Sequence, residues 1–265
     1  MKLTISLAQI DVAISDPEAN LAKAEPLVAE AARRRSDLVC FPEMWTTGFN
    51  WDYNRRTAAE HGRTVERVAD MARRHAIWIN GTMPEVSGEG RLSNTSFLFG
   101  PDGTPAARYR KAHLFSYMGE HLHMEPGSSI SMADTPWGGT GLAVCYDVRF
   151  PELFRTYALG GAKLALLPAA FPHPRLEHWR VLVRARAIEN QMFIAAVNQV
   201  GKEALSDGAV TYFGNSMIVD PWGGIVAEAG EEETLVTATI DTGMVDEVRG
   251  KMKVLSDRRP DLYRL

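Results

Sequence analysis

At 265 residues, with 45% hydrophobic and 23% charged residues, the chain is long enough to bury one large core and carries no signature of disorder. Its 29 Lys and Arg against 33 Asp and Glu leave a formal net charge of −4, which gives no electrostatic attraction to nucleic acid or anionic lipid and points to a small ligand. Two cysteines, Cys40 and Cys145, build neither a disulfide framework nor, alone, a structural zinc site, so a reducing cytoplasm is the expected compartment.

The opening run "KLTISLAQI" alternates like a strand; it is short and carries Gln9, unlike a secretory leader. No segment reaches membrane-spanning length. Asn20 to Arg35, with Leu21, Leu27, Val28 and Ala31 on one face, predicts the first helix. "DLVCFPE" reads as a buried strand ended by Pro42, and Arg63 to His75 as a helix preceding the strand-like "IWING". "NTSFLFGPDGTPAARYRK" predicts a hairpin around Asp102-Gly103. The sequon Asn94-Thr95-Ser96 inside it is read as accidental in a protein that does not meet the glycosylation machinery.

Next come the strand "GLAVC", a helix from about Pro151, the strand "AKLALLP", a helix across Glu177 to Gln191 and the strand "MFIAAVNQV". "NSMIVDPWGGIVAEA" predicts a second hairpin, turning at Pro221 to Gly224, and "TLVTATID" a last strand before a short helix. Strands and helices alternate without a linker, repeat or low-complexity tract, which predicts one layered α/β domain over residues 1–265. In such folds ligands collect where strands end.

Three strand-like runs deliver a reactive side chain at that place: Glu43, Lys111 and Cys145. Singly, each has a plain structural alternative, as exposed carboxylate, solvated cation and packed thiol. Together they specify acyl transfer. Cys145 sits where a strand turns toward a helix, so amides of that turn point at the sulfur. A desolvated Glu43 would take the thiol proton and later activate water, while Lys111 and the Tyr146 N–H would face the tetrahedral oxyanion. Cys40, inside an apolar run, reads as a packed thiol.

"FPE" at 41–43, "RKAHLF" at 110–115 and "CYDVRFPEL" at 145–153 resemble the three signature blocks of the nitrilase superfamily, the carbon-nitrogen hydrolases, in order and over nearly the whole chain. The resemblance implies a four-layer α-β-β-α sandwich, a Glu43-Lys111-Cys145 triad and a second glutamate at Glu120 that orients or protonates the reacting groups. It also implies a homodimer or higher homo-oligomer, with the tail at about 250–265 packing on a partner, and architectural ion pairs from Arg184 and Glu189.

"KAHLFSYMGEHLHMEPG", "CYDVRFPE" and "HWRVLVRARAIENQ" look most like the omega-amidase branch, which implies hydrolysis of the terminal amide of a small dicarboxylic monoamide. Tyr-Asp after the cysteine, in place of Trp-Glu, disfavours a true nitrilase. An N-carbamoyl amino acid or another aliphatic amide is the alternative substrate, and a non-catalytic binding subunit the alternative class. A Cys-His hydrolase would need a histidine at Cys145, with His113 the candidate.

Trp45, Phe49, Trp51 and Tyr53 follow Glu43 and are candidates to shape the acyl pocket. His121, Ala170, Phe171 and His178 are candidate substrate contacts, and Arg149, Arg175 and Arg180 candidate holders of a distal carboxylate. His121 and His123 lack a third ligand at diagnostic spacing, so neither a metal nor a cofactor is expected. "WGGT" at 137–140 and "WGGI" at 222–225 read as turns.

Overall fold

The computed structural model describes residues 1–86, 90–205 and 208–262. The first half of the chain supplies β1 (Lys2–Gln9), α1 (Pro17–Arg33), β2 (Leu38–Cys40), α2 (Trp51–Arg56), α3 (His61–His75), β3 (Trp78–Val86), β4 (Leu92–Phe99) and β5 (Pro105–Arg110). The second half supplies β6 (Met132–Thr135), β7 (Gly138–Leu142), α4 (Pro151–Leu159), β8 (Leu164–Ala169), α5 (Leu176–Asn190), β9 (Phe193–Asn198), β10 (Val200–Leu205), β11 (Gly208–Phe213), β12 (Met217–Val219), β13 (Ile225–Glu228), β14 (Thr234–Asp241) and α6 (Gly243–Lys251).

Two six-stranded sheets result, ordered β14-β1-β2-β3-β4-β5 and β13-β12-β9-β8-β7-β6, with β10 and β11 as a separate hairpin. The sheets face one another where β1 meets β9 and β3 meets β8; α1 and α3 cover the first sheet, α4 and α5 the second. This is the four-layer α-β-β-α arrangement. The central strands β2, β8 and β9 are buried at every position, because a parallel strand covered on both faces must be apolar throughout.

Leu3, Ile5 and Leu7 of β1 join Cys40, Leu166 and Ala195 between the sheets, while Val28, Val39 and Ile79 pack on the α1/α3 side. Helix α1 starts three residues earlier than its hydrophobic pattern suggests, because Asp16 caps Ala19 N and Pro17 fits the first turn. The hairpins at Asp102-Gly103 and Pro221 to Gly224 form as expected. The hairpin β10–β11 and helix α2 are additions to the sequence-based element order. Part of the expected partner-binding tail, residues 263–265, lies outside the described residues.

Candidate active site

The site lies at the ends of strands from both sheets. Glu43 follows β2 by three residues, Lys111 follows β5 directly, Cys145 follows β7 by three, and Glu120 opens a short 3-10 turn at 120–122. All four side chains are buried: Glu43 is 1%, Lys111 2%, Glu120 2% and Cys145 7% exposed.

Lys111 Nζ donates to Glu43 Oε1 at 2.8 Å and to Glu120 Oε2 at 2.7 Å. Glu43 Oε2 accepts the Ala170 N–H at 3.0 Å, and Glu120 Oε2 the Phe115 N–H at 2.7 Å. The Cys145 thiol lies within hydrogen-bonding reach of the Glu43 carboxylate and of the Ala170 backbone. Asn94, fully buried on β4, donates from Nδ2 to Glu43 Oε1 at 2.7 Å and to Glu120 Oε1 at 3.2 Å.

Two carboxylates share one ammonium. Burial, and then the Glu43 charge, push the Cys145 thiol well above its usual range, and Lys111 only partly opposes them. Burial opposes charging of Lys111 too, yet the flanking Glu120 and Glu43 outweigh it and hold the ammonium above its ordinary range. Burial raises Glu43, with Lys111 pulling the other way and Glu120 adding to the rise. A poor acid thus faces a strengthened base, which suits proton transfer during attack rather than a standing thiolate.

The helix whose first amides were expected at the sulfur starts further along the chain. Residues 145–149 form a 3-10 turn, and α4 begins only at Pro151, too far along to offset burial. What the turn does is present the sulfur. Cys145 adopts φ 43° and Met44, just after Glu43, φ 48°, a left-handed conformation that costs an L-residue with a Cβ about 1–2 kcal/mol. Ala76 and Gln191, also left-handed, are ordinary helix C-caps. At Cys145 the turn is held by Asp147, whose carboxylate accepts from Val144 N at 2.8 Å, Tyr109 Oη at 3.0 Å and the His113 ring at 2.7 Å.

The Cys145 cavity has a volume of about 60 Å³ and is lined by Glu43, Lys111, Glu120 and Ala170 with Phe49, Trp51, Phe115, Met118 and Tyr212. Phe49, Trp51 and Met118 also border a vestibule of about 880 Å³ that reaches Arg175 and Glu203. From Cys145 and Ala170 a narrow branch runs past Tyr146, Phe171, Arg149 and Arg175. Arg149 stacks on Phe171 and meets His178 Nδ1 at 3.3 Å; Arg175 lies over Phe115 and Tyr117. Neither guanidinium pairs with a carboxylate among the described residues.

Several expected contacts fall elsewhere. Trp45 is fully buried and stacks on Phe41 at 4.5 Å in the α1/α3 core, because the turn at Met44 sends it behind the sheet; Phe49 and Trp51 reach the cavity instead. His121 is exposed on the 3-10 turn away from the cavity, while His123 stacks on Trp51 in the vestibule. His178 is exposed, lines none of these cavities and contacts Arg149. Arg180 is engaged by Glu228, Glu177 and Asn215.

Of the ion pairs expected from Arg184 and Glu189, Glu189 makes one, with Arg186 at 2.6 Å, whereas Arg184 binds Gly223 O; Arg186 faces inward to Val148 O. His113 turns to Asp147 and stacks on Phe150 at 3.7 Å, and no histidine lines the Cys145 cavity among the described residues. No group of three or more metal-ligating side chains forms among the described residues, and no described helix is long and apolar enough to cross a membrane. Asn94, Asp147 and Tyr212 were not singled out from sequence.

The carbon-nitrogen hydrolase family model matches residues 4–250. The chain is 38% identical to the 2-oxoglutaramate amidase of Bacillus subtilis over 264 residues, covering 99% of this chain and 100% of that protein. It is 36% identical to the omega-amidase of Xenopus tropicalis over 272 residues, covering 99% and 97%. Its fold matches a carbon-nitrogen hydrolase crystal structure from Helicobacter pylori with a TM-score of 0.93 at 24% identity, covering 99% of this chain and 97% of the other.

Proposed function

Because this chain belongs to the carbon-nitrogen hydrolase family, we propose that Cys145, Glu43, Lys111 and Glu120 hydrolyse the terminal amide of a small dicarboxylic monoamide through a cysteine thioester. The observation that carries this is the buried Lys111 ammonium held between two carboxylates beside the Cys145 thiol. Glu43 takes the thiol proton as sulfur adds to the amide carbon, and the carbonyl electron pair moves onto oxygen. Lys111 and the Tyr146 N–H face that oxygen.

Collapse of the adduct breaks the C–N bond, and ammonia departs with the proton from Glu43, leaving the thioester. Water then adds to the thioester carbon, giving a proton to Glu43. The second collapse releases the dicarboxylate and returns the proton to sulfur. Glu120 keeps Lys111 charged and pointed through both steps. The chemistry requires no metal or cofactor.

The distal carboxylate of the substrate belongs in the branch beside Arg149 and Arg175, whose guanidiniums have no acidic partner there, with Ala170 and Phe171 as walls. The curated relatives, a 2-oxoglutaramate amidase and an omega-amidase, support a substrate carrying such a group. Residues 1–265 act as one domain, in a reducing cytoplasm. A second copy of this chain covers the exposed Val181, Ile188, Trp222, Ile225 and Val226, which cluster where α5 meets the β12–β13 turn.

The experiment is ammonia release from 2-oxoglutaramate, succinamate, an N-carbamoyl amino acid and a simple nitrile, with folded Cys145→Ala beside the wild type. Release from the two monoamides, lost in the variant, is the expected outcome. Release from the carbamoyl compound alone would reassign the acyl group, and silence on every substrate with no adduct on Cys145 would overturn the hydrolase.

A further inference from the structure

Asn94 touches the residues of all three charged side chains, Glu43, Glu120 and Lys111. Its side-chain NH2 spends one hydrogen on each carboxylate, at Glu43 Oε1 and Glu120 Oε1, and its backbone carbonyl accepts the Lys111 N–H at 2.9 Å. The amide orientation follows from chemistry, since the opposite rotamer would set a carbonyl oxygen against two carboxylates. With Lys111 Nζ and Asn94 Nδ2 both on Oε1 of Glu43, Oε2 is left with the Ala170 N–H and an open lone pair for the thiol.

We propose that Asn94 is a positioning residue of the reaction: its NH2 group ties Glu43 Oε1 to Glu120 Oε1 and so commits Glu43 Oε2 as the oxygen that takes the Cys145 proton. The inference rests on Glu43 being the base. It also removes the sequon from consideration as a modification site in the folded protein, because the same NH2 is buried and doubly engaged.

Both bonds favour the charged form of the carboxylates, so Asn94 works against the rise that burial imposes on Glu43. The other groups facing Glu43 are Lys111, Glu120, Cys145 and the Tyr212 phenol from β11. The proposed step needs ionised Glu43, so the acid limb of kcat/KM is expected above the usual carboxyl range, because burial raises Glu43. Losing the Asn94 bonds moves that limb further up.

The test is the pH profile of succinamate hydrolysis for Asn94→Ala and Asn94→Ser, with Glu43→Gln alongside. The acid limb of Asn94→Ala is expected to shift upward by about one pH unit, with a loss of up to about tenfold on the acid side that shrinks toward pH 9. Asn94→Ser, which keeps one donor, should fall between, and KM should stay within about twofold because Asn94 does not reach substrate.

A loss that is equal at every pH would show a merely structural residue and overturn the proposal. So would a wild-type limb in a folded variant. An active Glu43→Gln would instead overturn the base assignment, which keeps the two failures apart. Should neither Asn94 variant fold, the wild type carries the readout: the Asn94 side-chain NH2 signals, identified in asparagine-labelled protein by slow exchange, must titrate with the acid limb. Signals that exchange quickly or ignore that limb would sink the idea.

Discussion

Cys40 and Cys145 belong to the same apolar cluster between the two sheets, and each comes at or just past the end of a parallel strand. Burial raises both thiols. At Cys40 burial is the whole cause, since Cys40 is still regularly paired with β1 and β3 and sits in the apolar cluster. At Cys145 the chain turns left-handed and sets the sulfur against Glu43 with Lys111 behind it. Two buried thiols of the same core thus differ in one respect that matters: only one has somewhere to send its proton. In the proposed mechanism reactivity at Cys145 comes from the partner base and the turn, and a lowered resting thiol pKa is not needed.

The largest effect that could break this contrast is on activity. Cys145→Ala should abolish ammonia release, a loss of at least about 10⁴-fold, whereas Cys40→Ala should stay within about threefold of wild type. Mass spectrometry of the intact protein after iodoacetamide treatment should find one alkylated site, Cys145. Alkylation at Cys40 in the native fold, or activity surviving in Cys145→Ala, would erase the distinction.

Next in size are the groups that make Cys145 different. Lys111→Met should cost about 10²–10³-fold in kcat as an oxyanion donor is lost. It should also lower stability by about 3–5 kcal/mol, because Glu43 and Glu120 are then left buried without their shared cation. Denaturant unfolding followed by fluorescence checks the second figure. The double variant Lys111→Met with Glu120→Gln should recover part of that stability and none of the activity.

Smaller still is the effect at the branch. Arg149→Ala and Arg175→Ala should each raise KM for succinamate about 10–100-fold with kcat little changed, as expected when a charge-assisted contact to a remote group is lost. A neutral aliphatic amide should be insensitive to both. Equal losses for charged and neutral amides would mean that these arginines shape the cavity and do not read a carboxylate.

The sequence carried the chemistry better than its surroundings. Glu43, Lys111 and Cys145, which the structure brings together, were legible because each ends a strand-like run and the three residue types together suit acyl transfer. Glu120 came through resemblance. Asn94 was passed over because its neighbours spelled a familiar sequon, and only the β3–β4–β5 pairing brings it beneath both carboxylates. Tyr212 was missed with its hairpin; the available signal was Asp207-Gly208 between two alternating runs, although Asp207 itself lies outside the described residues. Trp45 misled because one left-handed residue, Met44, reverses which face of the sheet the next side chain meets. A periodicity argument cannot see such a turn. The Arg184 and Arg186 exchange has a similar origin: on α5 a two-residue step rotates the guanidinium from the β12–β13 turn to the buried Val148 carbonyl.

The finest test compares what each cysteine contributes to the fold. Removing the Cys40 sulfur leaves a void in the fully buried cluster between the sheets, so Cys40→Ala should cost about 1–2 kcal/mol, a lowering of Tm by a few degrees. Cys145→Ala opens onto a cavity that already exists and should cost less than about 0.5 kcal/mol, while keeping the Cβ that strains the backbone at φ 43°. Cys145→Gly removes that Cβ. Relief of about 1–2 kcal/mol of left-handed strain is set against the about 0.4–1 kcal/mol that glycine loses through its freer unfolded chain. Cys145→Gly should therefore be more stable than Cys145→Ala by about 0.5–1 kcal/mol, opposite in sign to a Gly substitution at Cys40, where the strand is regular. Calorimetry of the four variants decides it: if glycine destabilises both positions alike, the turn at Cys145 stores no strain and the nucleophile is presented by hydrogen bonds to Asp147 alone.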